Sequence, residues 1–220
     1  MNATFELTVR CNLKCKMCLV RHDDSENSYL KKHELTSEEW INIARQAANA
    51  GTFTLLITGG EPMLRSDFCE IWEGIYKEGF LLELYTNATL VSPKIMETLR
   101  KYPPHRIGIT IYGTSRETYG KVCGNPNAFD HMLKGVQMLL KLPSKLSFRS
   151  TIIKDNFHEV MDIQNLVNRE FGNYTVTNSR LITQSVRGAC ADVNSCRLTP
   201  EDNLKVVYAR PYQKVKEVLG

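Results

Sequence analysis

The chain has 220 residues, 42% of them hydrophobic, and carries 28 Lys and Arg against 24 Asp and Glu for a net charge of +4. That length suits one large domain, and no apolar run approaches the roughly 20 residues a bilayer-spanning helix needs. A modest, dispersed positive charge does not mark a nucleic-acid binder, so neither a membrane nor nucleic acid is expected as a partner. Strand-like runs fall near 4–9, 53–58, 81–86, 106–112, 146–152 and 174–182. Amphipathic helical stretches lie between them near 37–50, 66–78, 93–101, 128–141 and 157–170, with a last helix near 200–218. Thr36-Ser37-Glu38-Glu39 reads as a capping box, and Ser92-Pro93 and Thr199-Pro200 put a hydroxyl cap before a proline suited to the first turn. Gly51, Gly79 and Gly172 stand where helices should end. Six βα units predict an α/β fold with parallel strands and right-handed crossovers. No linker or shift of composition interrupts them. We expect a core over 1–187 and an extension over 188–220 that contains the final helix.

The strands alternate in an informative way. Phe5, Leu7 and Val9 alternate with Thr4, Glu6 and Thr8; Leu82 and Leu84 with Glu83 and Tyr85; Ile107, Ile109 and Ile111 with Gly108, Thr110 and Tyr112. Ser147, Arg149 and Thr151 share one face of the fifth strand. Parallel strands covered on both sides are near-continuous apolar runs, and ordinary eight-stranded barrels fill their centre with aliphatic layers. One polar face per strand predicts instead a polar-lined cavity inside an incomplete barrel.

Three of the seven cysteines crowd Cys11-Asn12-Leu13-Lys14-Cys15-Lys16-Met17-Cys18, directly after the first strand and before a charged loop. An odd count with such crowding argues against a disulfide framework and for metal binding in a reducing compartment. The start, Met-Asn-Ala-Thr-Phe-Glu, has no basic-then-apolar signal segment, so the expected location is the cytoplasm. Thiolates select iron–sulfur clusters, zinc or copper(I). The flanking Arg10, Lys14, Lys16 and Arg21 should lower the thiol pKa values. Three thiols leave one iron of a four-iron cluster without a protein ligand, the open position that marks a reactive metal site. The competing reading adds His22 and closes a Cys₃His zinc site.

The C-x-x-x-C-x-x-C motif after Glu6-Leu7-Thr8-Val9-Arg10 resembles the signature of radical S-adenosylmethionine (SAM) enzymes. Thr58-Gly59-Gly60-Glu61-Pro62, at the end of the second strand, is similar to that family's Gly-Gly-Glu-Pro motif. The resemblance reaches to about Arg187, with Met17 where the family usually has an aromatic residue. It implies a partial (β/α)₆ TIM-like barrel, a 4Fe–4S cluster on Cys11, Cys15 and Cys18, and SAM chelating the open iron. It implies also that one electron splits SAM into methionine and a 5′-deoxyadenosyl radical that abstracts substrate hydrogen.

The same resemblance implies roles for other positions. Gly59 and Gly60 would let the backbone approach the methionyl part of SAM, with Glu61 accepting from its ammonium group and Pro62 completing the motif. Thr86 and Asn87, in Tyr-Thr-Asn, are similar to a segment near SAM. Thr110 takes the place of a serine that reaches SAM, and Arg149 that of an arginine that pairs with the SAM carboxylate. Cys123 precedes Gly124 where the family usually has arginine, and Cys69 reads as a small buried hydrophobe on a helix. Cys190 and Cys196 resemble the passage to an auxiliary-cluster domain in peptide-modifying members. The chain stops at Gly220, so either a longer protein continues there or no auxiliary cluster exists. The expected partners are a one-electron reductant such as flavodoxin or ferredoxin and a peptide or protein substrate. RNA, a small metabolite, and a metal-binding or electron-transfer module without catalysis are the alternatives. Both active-site motifs follow strands, so both should meet at the C-terminal mouth of the barrel.

Overall fold

The computed structural model describes residues 1–180, 182 and 193–208. Six parallel strands, β1 (Asn2–Glu6), β2 (Thr54–Thr58), β3 (Leu81–Thr86), β4 (Arg106–Thr110), β5 (Lys145–Thr151) and β6 (Val176–Ser179), form one sheet in that order. Among the described residues β1 and β6 are the two edges, so the barrel is partial, as the strand alternation predicts. The helices are α1 (Asp24–Lys32), α2 (Ser37–Asn49), α3 (Phe68–Tyr76), α4 (Pro93–Lys101), α5 (Arg116–Cys123), α6 (Ala128–Leu139), α7 (Val160–Phe171) and the short α8 (Val193–Cys196). Residues 200–208 are helical as well; the rest of the helix expected to 218 lies outside the described residues, as do Arg187 and Cys190.

The expected caps are present. Thr36 and Glu39 exchange side-chain and backbone hydrogen bonds at the start of α2, and Ser92 accepts from the Ile95 N–H ahead of Pro93. The Thr199 hydroxyl accepts from the Asp202 N–H at 3.1 Å. Three helices were not expected, the four-residue α8 among them. The charged loop after the cysteines is helical from Asp24, under a capping box formed by Asp23 and Glu26, and α5 starts on a Ser115 cap.

The apolar face of each strand meets the helices. Phe5 packs on Trp40 of α2 with ring centroids 5.2 Å apart, and Phe148 stacks on Phe171 of α7 at 5.5 Å. Leu146, Phe148 and Ser150 are buried on that side of β5, while Ser147, Arg149 and Thr151 are half-buried on the other. No helix among the described residues is long and apolar enough to cross a membrane.

Candidate active site

The ladder between β1 and β2 continues past the ends of both strands. Leu7 N–H donates to Thr58 at 3.0 Å, Gly60 N–H to the Thr8 carbonyl at 2.7 Å, and Glu61 N–H to the Arg10 carbonyl at 2.9 Å. This zip explains the glycines. A Cβ at Gly59 would strike the Thr8 carbonyl, and one at Gly60 the Arg10 carbonyl. Gly59 also has φ +134°, which residues with a side chain rarely adopt. The glycine pair therefore lets the Cys11 segment lie against the turn after β2, beside the SAM contact the resemblance implies.

The cysteine loop is then fixed from two sides. Lys14 N–H donates to the Cys123 carbonyl at 2.9 Å and Lys16 N–H to the Val122 carbonyl at 3.0 Å. These carbonyls belong to the last turn of α5, where helical acceptors lack partners within the helix. On the other side Asn87 Nδ2 donates to Asn12 Oδ1 at 3.0 Å and approaches Cys11 Sγ at 3.7 Å, while Asn12 Nδ2 donates to Thr89 Oγ1 at 2.8 Å. Behind the loop, Arg10 makes a two-pronged pair with Glu34 at 3.0 and 2.9 Å, and Thr8 donates to the same carboxylate. Buried Arg65 donates to the Leu7 and Leu35 carbonyls at 2.9 and 2.8 Å and pairs with Asp67 at 2.7 Å.

A single cavity of about 340 Å³ is lined by Cys11, Cys15 and Cys18 together with Gly59, Gly60, Thr86, Asn87, Thr110 and Arg149. It opens at the C-terminal ends of the strands, where both motifs were expected to meet. Tyr85, Tyr112 and Thr151, placed by alternation on the polar strand faces but given no role in the site, line it too. Two predicted site residues do not. Pro62 is buried as the first residue of a 3₁₀ turn, and Glu61 is wholly buried at the cap of that turn. The Glu61 carboxylate accepts from Met63 N–H at 3.1 Å, from Thr86 Oγ1 at 2.9 and 3.0 Å, and from Asn87 N–H at 2.8 Å. Burial pushes its pKa up to about 7 against the pull of those donors. Glu61 thus holds the end of β3 from behind the cavity wall.

The thiol pKa values are not lowered on balance as expected, although the Arg21 charge pulls Cys15 and Cys18 down. Burial, then the Glu61 charge, pushes Cys11 up to about 12. Burial also raises Cys18, and the contact with the Cys123 thiol followed by burial raises Cys15. The cations are spent elsewhere: Arg10 on Glu34, Lys16 on Asp155 at 3.0 Å, and Arg21 partly on the Lys14 carbonyl at 3.1 Å. Desolvation outweighs distant charge here, so an incoming metal must itself displace the thiol protons.

Among the described residues no three His, Cys, Asp or Glu side chains converge as one metal ion requires. His22 Nδ1 lies 3.2 Å from Glu26 Oε2, in a separate surface pocket with Tyr29 and Leu30. The Cys₃His zinc reading therefore loses its fourth ligand. The residues do fit a cluster and SAM. Three thiols are spread round one cavity of small-molecule size, and its single formal charge among the described lining residues is the Arg149 cation. Cys69 sits half-buried on α3, and Cys196 is buried in α8 with Sγ 3.3 Å from the Val193 carbonyl.

Comparison with known proteins agrees. An AdoMet-dependent heme synthase of Methanosarcina barkeri is 33% identical over 156 residues, covering 71% of this chain and 44% of the relative. A probable GTP 3′,8-cyclase of Saccharolobus islandicus is 31% identical over 146 residues, 64% of this chain and 45% of that one. The chain thus spans under half the length of the curated relatives it matches. SuiB of Streptococcus suis, solved with SAM or with the precursor peptide SuiA, shares the fold over 98% of this chain at TM-scores of 0.72 and 0.75 and 16% identity. Those matches span 48% and 46% of the SuiB chain. The model of the radical SAM superfamily matches residues 5–167, so this chain belongs to that superfamily, whose members are enzymes that work with a 4Fe–4S cluster and SAM.

Proposed function

We propose that Cys11, Cys15 and Cys18 ligate three irons of the 4Fe–4S cluster and leave the fourth to SAM, and that the reaction acts on a peptide or protein. The chemistry the two groups supply when bound is one-electron cleavage of the sulfonium C–S bond, giving methionine and a 5′-deoxyadenosyl radical that takes hydrogen from substrate. The protein's share is to bind, orient and shield. Gly59 and Gly60 bring backbone to the cavity wall, Thr110 offers a hydroxyl, and Arg149 offers a planar cation suited to a carboxylate. Glu61 acts through Thr86 and Asn87 and is a positioning residue. The single observation that carries this reading is the meeting of three thiols, the glycine turn and Arg149 in one cavity.

The peptide substrate is supported by the fold shared with SuiB, which has been solved with a precursor peptide. A small-metabolite substrate is a second reading, supported by the higher identity to a heme synthase and a GTP cyclase. A one-electron donor such as flavodoxin or ferredoxin and a reducing, cytoplasmic setting complete the proposal. The test is anaerobic reconstitution of the chain with iron and sulfide, followed by SAM and dithionite. The expected result is a brown protein that makes 5′-deoxyadenosine, and a Cys15→Ala variant that folds but holds no four-iron cluster. A Cys15→Ala chain with four irons and full SAM cleavage would overturn the ligand assignment. Deuterium passing into 5′-deoxyadenosine from a labelled peptide, and not from labelled GTP or porphyrin, selects the first substrate class.

A further inference from the structure

We infer that Tyr85 and Gly108 are positioning residues that set the Arg149 guanidinium to receive a carboxylate; the inference rests on the proposed pairing of Arg149 with the SAM carboxylate. Three neighbouring strands build the device. Tyr85 on β3 stands opposite Gly108 on β4, Gly108 opposite Ser147 on β5, and Arg149 opposite Thr110. Arg149 nevertheless reaches past β4 on the diagonal, and its Cζ lies 3.9 Å from the centre of the Tyr85 ring. Gly108 makes the crossing possible. A Cβ there would stand 2.6 and 2.7 Å from Tyr85 Cδ1 and Cε1, so any side chain would push the ring off its place. Both Tyr85 and Arg149 line the cavity.

The choice of a ring as support has a chemical consequence. A carboxylate partner would use up the N–H fork of the guanidinium and cancel its charge. An aromatic face attracts the cation from above and leaves the in-plane donors free. Near the opposite end of the barrel Arg106 shows the contrast: it is already paired with Glu83 at 3.3 Å. No carboxylate lines the cavity among the described residues, so a ligand carboxylate meets no competitor there. Stacking also restricts a side chain that would otherwise lose its rotamer freedom only on binding.

The test is anaerobic calorimetry on the cluster-loaded chain with SAM and with decarboxylated SAM, iron content being checked for each variant. The native chain should prefer SAM, and Arg149→Leu should abolish that preference. Tyr85→Leu should shrink it by about three- to tenfold, by weakening SAM and sparing the decarboxylated ligand. Tyr85→Phe, which restores the face, should restore the preference, while Gly108→Ala should shrink it with Tyr85 still present. If Tyr85→Leu fails to take up the cluster, the comparison of Tyr85→Phe with Gly108→Ala decides the matter. Should Arg149→Leu abolish the preference while Tyr85→Leu and Gly108→Ala leave it intact or weaken both ligands equally, the positioning role is wrong and Arg149 keeps its own. A preference that survives Arg149→Leu overturns the carboxylate assignment and this inference together.

Discussion

Two buried carboxylates on opposite sides of the barrel mouth do the same mechanical work. Glu61, after β2, accepts from Thr86 and Asn87 at the end of β3. Glu159, after β5, accepts from Thr114 N–H at 2.6 Å and Thr114 Oγ1 at 2.8 Å in the loop after β4, and from Thr118 at the start of α5. Each ties the exit loop of one strand to that of its neighbour, and Asn156 adds a second tie by donating to the Tyr112 and Thr151 carbonyls at 2.9 and 3.1 Å. The difference lies in what hangs from them. The Glu61 tie passes through Asn87 to Asn12 and Cys11. The Glu159 tie steadies α5, whose last carbonyls hold Lys14 and Lys16. The cysteine loop is thus suspended between two carboxylate anchors, only one of which belongs to a recognisable motif.

Substitution separates the two anchors. Glu61→Ala orphans three buried donors and should cost about 2–4 kcal/mol in urea unfolding, with slower cluster uptake because Asn87 is released. A loss confined to stability would break the link to Asn12. The titration of Glu61 sharpens the contrast. Its folded pKa of about 7 exceeds the ordinary carboxylate value of 4.5, so the folded chain keeps a proton that the unfolded chain has lost. The stability of the cluster-free chain should therefore fall by roughly 3 kcal/mol as pH rises from about 4.5 to 7, then level off. Glu61→Gln should flatten that slope in denaturant titrations at several pH values. Glu159→Ala should cost about 1–3 kcal/mol and leave the cluster's iron count unchanged, since its effect reaches the loop only through α5.

The smallest effect belongs to the pair outside both anchors. Burial works against ionised Glu34, but hydrogen bonds from Arg10 and Thr8 and the charges of Arg10 and Arg65 hold its pKa below the ordinary range. Its contribution is complete above the ordinary carboxylate value of 4.5 and fades as pH falls through the lower folded value. Glu34→Gln should cost about 1 kcal/mol near neutrality and nothing in strong acid; equal losses at both would assign Glu34 a packing role instead.

Much of this was readable from side-chain pattern. Alternation along Leu82–Tyr85 and Ser147–Thr151 locates the strands, and the same alternation assigns Arg149 to the interior. The missed helices are those without an apolar stripe. Helix α1 is mostly polar, α5 is short with Gly120 inside it, and α8 has only four residues, so periodicity is weak in all three. The signals of α1 and α5 were terminal: Asp23 with Glu26, and Ser115 with a left-handed Gly124 at φ +71°. Glu159 carried no signal, because its partners Thr114 and Thr118 lie more than 40 positions away.

Composition and spacing by themselves determined a six-unit βα chain, a polar interior, and three thiols with a glycine turn at one mouth, because strand period and motif order are local properties. Tertiary structure alone decided that Glu61 stands behind the cavity wall, that the thiols are raised rather than lowered in pKa, and that Gly108 clears space for Tyr85 beneath Arg149. Those outcomes depend on desolvation and on contacts between strands, and both quantities exist only once distant segments are packed together.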